Sequence, residues 1–377
     1  MTLLFIDLSL FEEAAPPSAI REVASLMLLS PHRGVFLQVT PLLRRSNPPV
    51  LPYPGYVRVF TRCAVSMAAA ALLTSCAGVD PGATGSSPPV VERDTSRSRP
   101  AGSPRLGGLQ DDPAPYDNAR AMAHVRALAG DIGVRVRATA GEHRGIAYVS
   151  DELRRLGYRV DVQEFAVDGE TSHNVVATPP DPRRQKLVIG AHIDTVAGSP
   201  GANDNASGVA VMLEAARIFA GTPQARWLRF VAFGSEEYGT NGLHHVGSQV
   251  FVNRQGERGR RRIAGMISVD MIADGRPLII ATAGIGPPRV ALTLYRKLER
   301  AGIGVDYRVT CDCSDNGPFE RAGIPASLMW SGIEPNYHDE SDRVGNLRRK
   351  HLRRTGRAVR TFLKAVDAGM ISYFQDS

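Results

Sequence analysis

The sequence predicts an α/β fold built on a largely parallel sheet with helices on both faces. Three observations predict it. Between Tyr116 and Val366, strand-like and helix-like segments are interleaved. Several of the strand segments are apolar throughout, as strands covered on both faces are. His192, Glu236 and Asp270 each fall at the end of such a strand, on the edge where parallel sheets carry their sites. A region of about 260 residues is large for one core but within range. No internal repeat divides it.

In order, residues 117–129 place Ala121, Val125 and Leu128 at helical spacing. Glu142–Leu156 is a second amphipathic helix, stopped by Gly157. Val160–Val167 and His173–Ala177 alternate like strands. A turn at Pro179–Pro182 leads to the apolar run Leu187–Ala191, a buried strand. A loop rich in Gly, Pro, Ser and Asn follows, then a helix over Gly208–Phe219. Trp227–Phe233 and Ile263–Val269 read as buried strands, and Pro277–Ala281 as a further one. A helix over Arg289–Ala301, strands at Val305–Val309 and Ala326–Trp330, and a long helix from about Leu347 to Val366 complete the pattern.

Of the 377 residues, 43% are hydrophobic and 22% charged, as in soluble globular proteins. The net charge of +7 is carried almost wholly by Arg, a skew that reads as codon usage. The runs Arg258–Arg262 and Arg348–Arg354 lack interleaved aromatics, so no nucleic-acid partner is expected. Upstream, Val57–Cys76 has a basic start and an apolar core too short to span a bilayer. It ends in Leu73-Thr74-Ser75-Cys76, which resembles the lipobox of bacterial lipoproteins. That resemblance implies a signal peptide over 57–75, cleavage before Cys76, lipid on its sulfur, and an exported protein, lipid-anchored or secreted. Residues 1–56, broken by prolines, read as a non-native extension ahead of a later start. Residues 76–115 read as a disordered tether before a single domain at 116–370.

His192 and Asp194 lie two apart at a strand end and so share a side. Neutral imidazole is a zinc ligand, and a nearby carboxylate can fix its tautomer. A bare His-x-Asp is equally a polar strand end. Asp204 sits in the loop beyond, between Asn203 and Asn205. Glu236 and Glu237 follow the apolar strand Trp227–Phe233; adjacent carboxylates there repel, and one has its pKa raised. The alternative for that pair is a solvated turn. Asp270 ends another buried strand, where a carboxylate is costly without a cation or hydrogen-bond partners. His338, with Asp342 four residues on, adds a second imidazole and a further carboxylate. Two imidazoles and three carboxylates suit a two-metal hydrolytic site. Asp204, Glu237 and Asp270 bring three negative charges; two zinc ions and one bound hydroxide bring the sum to zero. Glu236 is then left free to handle protons.

The pieces AHIDTV, SPGANDNASGVA, FVAFGSEEYGTNG, SVDM, SDNGPFERAGIPA and NYHDESD occur in that order. In this the sequence resembles the dinuclear-zinc exopeptidases of the secreted bacterial aminopeptidase and aminopeptidase Y type, over roughly residues 117–366. The resemblance implies a three-layer α/β/α sandwich with a mostly parallel mixed central sheet. It also implies two zinc ions per chain, peptides as substrates, and hydrolysis of the N-terminal peptide bond. His192 and Asp270 would hold one zinc and Glu237 and His338 the other, with Asp204 bridging. Glu236 would be general base, then acid; Asp194 would orient His192, and Tyr337 would stabilise the oxyanion. It further implies a cis bond between Asp204 and Asn205, a rare conformation that collects at functional sites.

The sequence departs from the family in places. The run after the glutamate pair, Gly242-Leu243-His244-His245-Val246-Gly247-Ser248, is one residue longer. His244 and His245 are expected at surface or helix positions rather than as ligands. Asp312 stands between Cys311 and Cys313 where some members have a tyrosine, and the redox state of the two thiols is left open. No protease-associated domain is inserted, since only a short turn separates the strands at 173–177 and 187–191. A carboxypeptidase of the same fold, a single-zinc glutaminyl cyclase and a non-catalytic binding lipoprotein are the alternatives.

Overall fold

The computed structural model describes residues 112–376. The extension at 1–56, the signal segment at 57–75, Cys76 and the tether as far as residue 111 lie outside the described residues. Among the described residues no helix is long and apolar enough to cross a membrane.

Eight strands form one mixed sheet: β1 (Arg159–Val167), β2 (Glu170–Thr178), β3 (Lys186–His192), β4 (Leu228–Phe233), β5 (Ile263–Val269), β6 (Ile279–Thr282), β7 (Asp306–Val309) and β8 (Ala326–Trp330). Their order across the sheet is β1-β2-β4-β3-β5-β8-β6-β7. The central four, β4, β3, β5 and β8, run parallel. β2 is antiparallel to β4, and β6 to β8, so the sheet is mixed, as the family resemblance implies. β1 and β2 form a hairpin across Asp168-Gly169, both at positive φ (55° and 83°), the turn that an Asp-Gly pair favours.

Nine helices lie among the described residues: α1 (Asn118–Val125), α2 (Ala140–Arg155), α3 (Gly208–Phe219), α4 (Val246–Arg254), α5 (Gly256–Arg260), α6 (Arg289–Arg300), α7 (Asn316–Arg321), α8 (Arg349–Lys364) and α9 (Ala368–Gln375). Asp117 caps α1 by accepting from the amides of Ala119 and Arg120. The expected helix over 117–129 is thus α1 running on into wider π-type turns at Arg126–Ile132. The short helices α4, α5 and α7 and the final α9 carried too little apolar periodicity to be read from sequence.

Alternation along β3 divides the core. Leu187, Ile189 and Ala191 face one large cluster with Val125 of α1, Leu213 of α3, Leu294 of α6 and Phe362 of α8. Val188 faces a second cluster with Phe251 of α4 and Phe319 of α7. The Phe233 ring meets Phe251 and Phe319 edge-on, with centroids 5.8 and 6.1 Å away. Gly190 leaves it room, since a Cβ there would stand 2.5 Å from the Phe233 ring. Because the four central strands are parallel and covered on both sides, their C-terminal ends open on one edge.

Candidate metal centre

Each central strand delivers a polar residue to that edge. His192 is the last residue of β3, Asp270 follows β5, and Glu236 and Glu237 lie three and four residues beyond β4. The loop after β8 brings His338, and the segment before α3 brings Asp204. All six come together. The two oxygens of Asp204 divide between the imidazoles: Oδ1 is 3.1 Å from His192 Nε2, and Oδ2 is 3.2 Å from His338 Nε2. Asp270 Oδ1 is 3.3 Å from His192 Nε2, and Glu237 Oε2 is 3.2 Å from His338 Nε2. His192, Asp204 and Glu237 form one triad of converging donor atoms, and His192, Glu236 and Asp270 another.

Hydrogen bonds from backbone amides to buried carboxylates hold these residues in place. Asp194 Oδ1 accepts from the Glu236 amide at 2.9 Å, and Oδ2 from the Glu237 amide at 3.0 Å. Its backbone carbonyl accepts from His192 Nδ1 at 3.2 Å, whereas its side chain is 3.6 Å from that nitrogen. Burial would lower His192, but the neighbouring carboxylates raise it well above its ordinary value. Once Nε2 gives up its proton to ligate a metal, the carbonyl, which only accepts, keeps the remaining proton on Nδ1. Asp342 does the same on the other side: Oδ1 accepts from the Asn203 amide at 2.7 Å and Oδ2 from the Asp204 amide at 3.0 Å. The Asp204–Asn205 peptide bond is cis. Asn205 Nδ2 donates to the Val269 carbonyl at 3.0 Å, which ties this segment to the end of β5.

The electrostatics follow from crowding acids out of water. Burial pushes Glu236 well above the usual carboxylate range; burial and Asp204 push Glu237 up to about 7. Burial opposes ionisation of Asp204 too, yet His192 and His338 hold it well below its ordinary value. Burial would lower His338, but Asp204 and Glu237 lift it to about 10. Glu237 Oε1 is buried without a hydrogen-bond partner among the described residues. The cluster draws positive charge to itself, and its imidazole and carboxylate donors suit zinc.

The profile of peptidase family M28 matches residues 174–363, half of the chain, and that stretch holds every residue of the cluster. The chain belongs to peptidase family M28. It is 33% identical over 227 residues to leupeptin-inactivating enzyme 1 of Streptomyces exfoliatus, covering 57% of this chain and 50% of that protein. It is 28% identical over 225 residues to the "Probable lipoprotein aminopeptidase LpqL" of Mycobacterium tuberculosis, covering 50% and 44%. The match thus spans about half the length of these curated relatives. Among solved structures, the zinc aminopeptidase BSAP of Bacillus subtilis superposes with a TM-score of 0.61 at 19% identity, over 66% of this chain and 94% of that one. A glutaminyl cyclase of Fimbriiglobus ruber does so with a TM-score of 0.59 at 25% identity, over 71% and 100%. BSAP bears on the fold alone.

Tyr337 of this M28 chain is 37% exposed, and its ring stacks on His338 with centroids 3.7 Å apart. Burial and the surrounding carboxylates push its hydroxyl up, so it stays a donor. His245 departs from the surface or helix position expected of it. It immediately precedes α4 but is only 2% exposed, with Nε2 3.0 Å from Glu236 Oε1. Burial drives it down to about 3, so it stands neutral against the glutamate. His244 Nδ1 is 3.1 Å from the same nitrogen, and the His244 ring stacks on Tyr238. The loop between Glu237 and His245 closes on itself: the His245 amide donates to the Glu236 carbonyl at 2.7 Å, and the Val246 amide to the Ser235 carbonyl at 2.9 Å. Arg137 ties it down by donating to the carbonyls of Glu237 and Leu243 while pairing with Asp168.

Sequence reasoning missed further supports. Arg135 is fully buried, and its guanidinium donates to the carbonyls of Ile193, Pro200 and Gly201 in the segment between His192 and Asp204. Glu142 of α2 accepts from the Ser235 amide at 2.9 Å and from Ser172 Oγ at 3.0 Å. Ser314 donates to Asp270 Oδ2 at 2.8 Å. Only Ser314 carried a signal, as the first residue of the SDNGPFERAGIPA piece. Cys311 and Cys313 are joined in a disulfide.

Proposed function

We propose that this chain is a zinc-dependent aminopeptidase that removes the N-terminal residue of peptides, with two zinc ions per chain. One observation carries the reading: the two oxygens of Asp204 each face a different imidazole, at 3.1 and 3.2 Å. A carboxylate so placed suits a bridging ligand. His192 and Asp270 would hold one ion, Glu237 and His338 the other. When bound, such ions supply Lewis acidity and lower the pKa of water at the site.

The chain's own residues would do the rest. Glu236 takes a proton from the attacking water and returns it to the leaving amine, so one carboxylate is base and then acid. Its burial, and the raised pKa that follows, suit a group that must hold the proton between those steps. His245 Nε2 stands 3.0 Å from Glu236 Oε1, leaving Oε2 on the His192 side, 3.9 Å from Nε2 of that residue. The Tyr337 hydroxyl donates to the carbonyl oxygen as negative charge builds on it. Asp194 and Asp342 keep the ligand-bearing backbone in register.

Metal analysis beside a cleavage screen tests this. Two ions per active chain and cleavage of C-blocked but not N-blocked peptides are expected. One ion, with cyclisation of an N-terminal glutaminyl peptide, would favour the glutaminyl cyclase reading, which the likeness to the Fimbriiglobus ruber protein keeps in play. The opposite blocking preference would make it a carboxypeptidase. We also propose export and lipid attachment at Cys76, supported by the lipobox-like segment and by the name of the mycobacterial relative. Loss of lipid and of membrane partitioning in Cys76→Ala is the check.

A further inference from the structure

At the opposite edge of the sheet, where β3, β4 and β5 begin, lies a cavity of about 320 Å³. Five of its lining residues are cationic, Arg183, Arg184, Lys186, Arg229 and Arg262, and none is acidic. The neighbouring Asp181 pairs with Arg226 instead, at 2.7 Å. Arg183 rests over the Trp227 ring at 5.5 Å. Among the described residues, none of the five has a carboxylate within ion-pair reach.

Solvated arginines are ordinary on a protein surface, but two of these cations are drawn inward. Lys186, the first residue of β3, is 3% exposed. Its ammonium has three protons to donate, and the partner it finds is the Gln185 carbonyl at 3.2 Å. Arg229 Nε is buried and has no acceptor among the described residues. Burial, with Arg229 and Arg183 nearby, pushes Lys186 down to about 8, which still leaves it mostly charged at neutral pH. Cations held out of water without a counter-charge are costly. Lys186 thus has one acceptor for its three protons, and Arg229 Nε has none among the described residues.

We propose that this cavity binds a phosphate group, either free or as the headgroup of an anionic lipid. Guanidinium forks take two oxygens of one anion, and an ammonium adds a point charge to a third. A free phosphate, doubly charged and tetrahedral, therefore meets more of these donors than a carboxylate does, while a lipid phosphodiester, singly charged, engages one guanidinium fork with its two free oxygens. The volume is at the lower end for small-molecule sites, which suits a phosphate rather than a nucleotide.

The test uses the full chain at constant ionic strength, with inorganic phosphate against potassium chloride as the soluble arm. Vesicles of phosphatidylglycerol against phosphatidylcholine form the lipid arm. Each arm compares the native chain with Lys186→Met and, because a buried change can disturb folding, with the exposed Arg262→Gln. A free-phosphate site predicts a Tm rise of roughly 5 °C at a hundredfold excess over Kd. Kd should weaken at least about tenfold in either variant, as loss of a charge-assisted contact does. A headgroup site predicts preferential capture on phosphatidylglycerol that the variants lose. The proposal is overturned if neither arm responds beyond the chloride or phosphatidylcholine control. It is equally overturned if both variants respond as the native chain does, since the anion would then sit elsewhere, the zinc ligands included.

Discussion

Strand β3 begins at Lys186 and ends at His192, and its two ends teach opposite lessons about buried charge. At the C-terminal end the charged groups are acidic, crowded and braced: Asp194 and Asp342 each accept from two consecutive backbone amides. At the N-terminal end they are basic and unbraced, with Lys186 holding on to a neighbouring carbonyl. Bracing sets geometry before any ligand arrives, which is what chemistry requires. Unbraced charge sets affinity without setting geometry. Changes at the acidic end should therefore act on turnover and metal, and changes at the basic end on anion binding and alkaline stability.

The largest expected effect is that of Glu236→Gln, which should retain metal and lose roughly three or more decades of turnover. Near-normal rates in that variant would place the base elsewhere. Asp342→Asn should leave the chain folded and weaken metal affinity roughly 10- to 100-fold, as loss of an outer partner does; a competition titration with a chelator measures it. His245→Leu should lower kcat by about tenfold with little change in KM, because a loosened Glu236 samples unproductive positions. His245→Gln, which keeps an N–H near the same place, should recover most of that loss. Combining His245→Leu with Glu236→Gln should cost nothing further, since His245 acts through the glutamate; an additive loss would assign it a separate role.

The smallest effect belongs to the basic end. The folded-state pKa of Lys186, about 8, lies below its ordinary value of 10.5. Between those values the unfolded chain binds the extra proton, so stability rises with pH across that window. Lys186→Met should flatten this rise in denaturation curves taken from pH 8 to 10.5, and peptide hydrolysis should be unchanged.

How far the sequence could be read differs between these regions in the same way. The strands β3, β4 and β5 were legible because a short, fully apolar run between turn residues suits little besides a strand buried on both faces. The acidic edge was legible because it repeats one signal, a titratable residue just after a buried strand. Arg135 and Glu142 were not, because each owes its place to backbone atoms far away in the chain. His245 was misplaced for a related reason: its contact with Glu236 exists only because the intervening loop returns to its start. The Asp168-Gly169 turn did carry a signal, an Asp-Gly pair between two alternating runs, and the hairpin was there to be read. The cations at the basic edge were hidden by composition, since one more arginine says little in an arginine-rich chain.

The return of that loop has a consequence for how such a protein can diversify. Residues 238–244, beyond the ligand Glu237, depart from and rejoin the scaffold at one point, fastened by the bonds from His245 and Val246 to Glu236 and Ser235. Lengthening a closed excursion adds only a small, slowly growing entropy term. Insertions or exchanges within it should leave Glu236 where it stands. That loop is thereby a replaceable cassette, and a graft from a relative of different loop length is the engineering experiment that varies the surroundings of the metal centre while leaving its ligands in place.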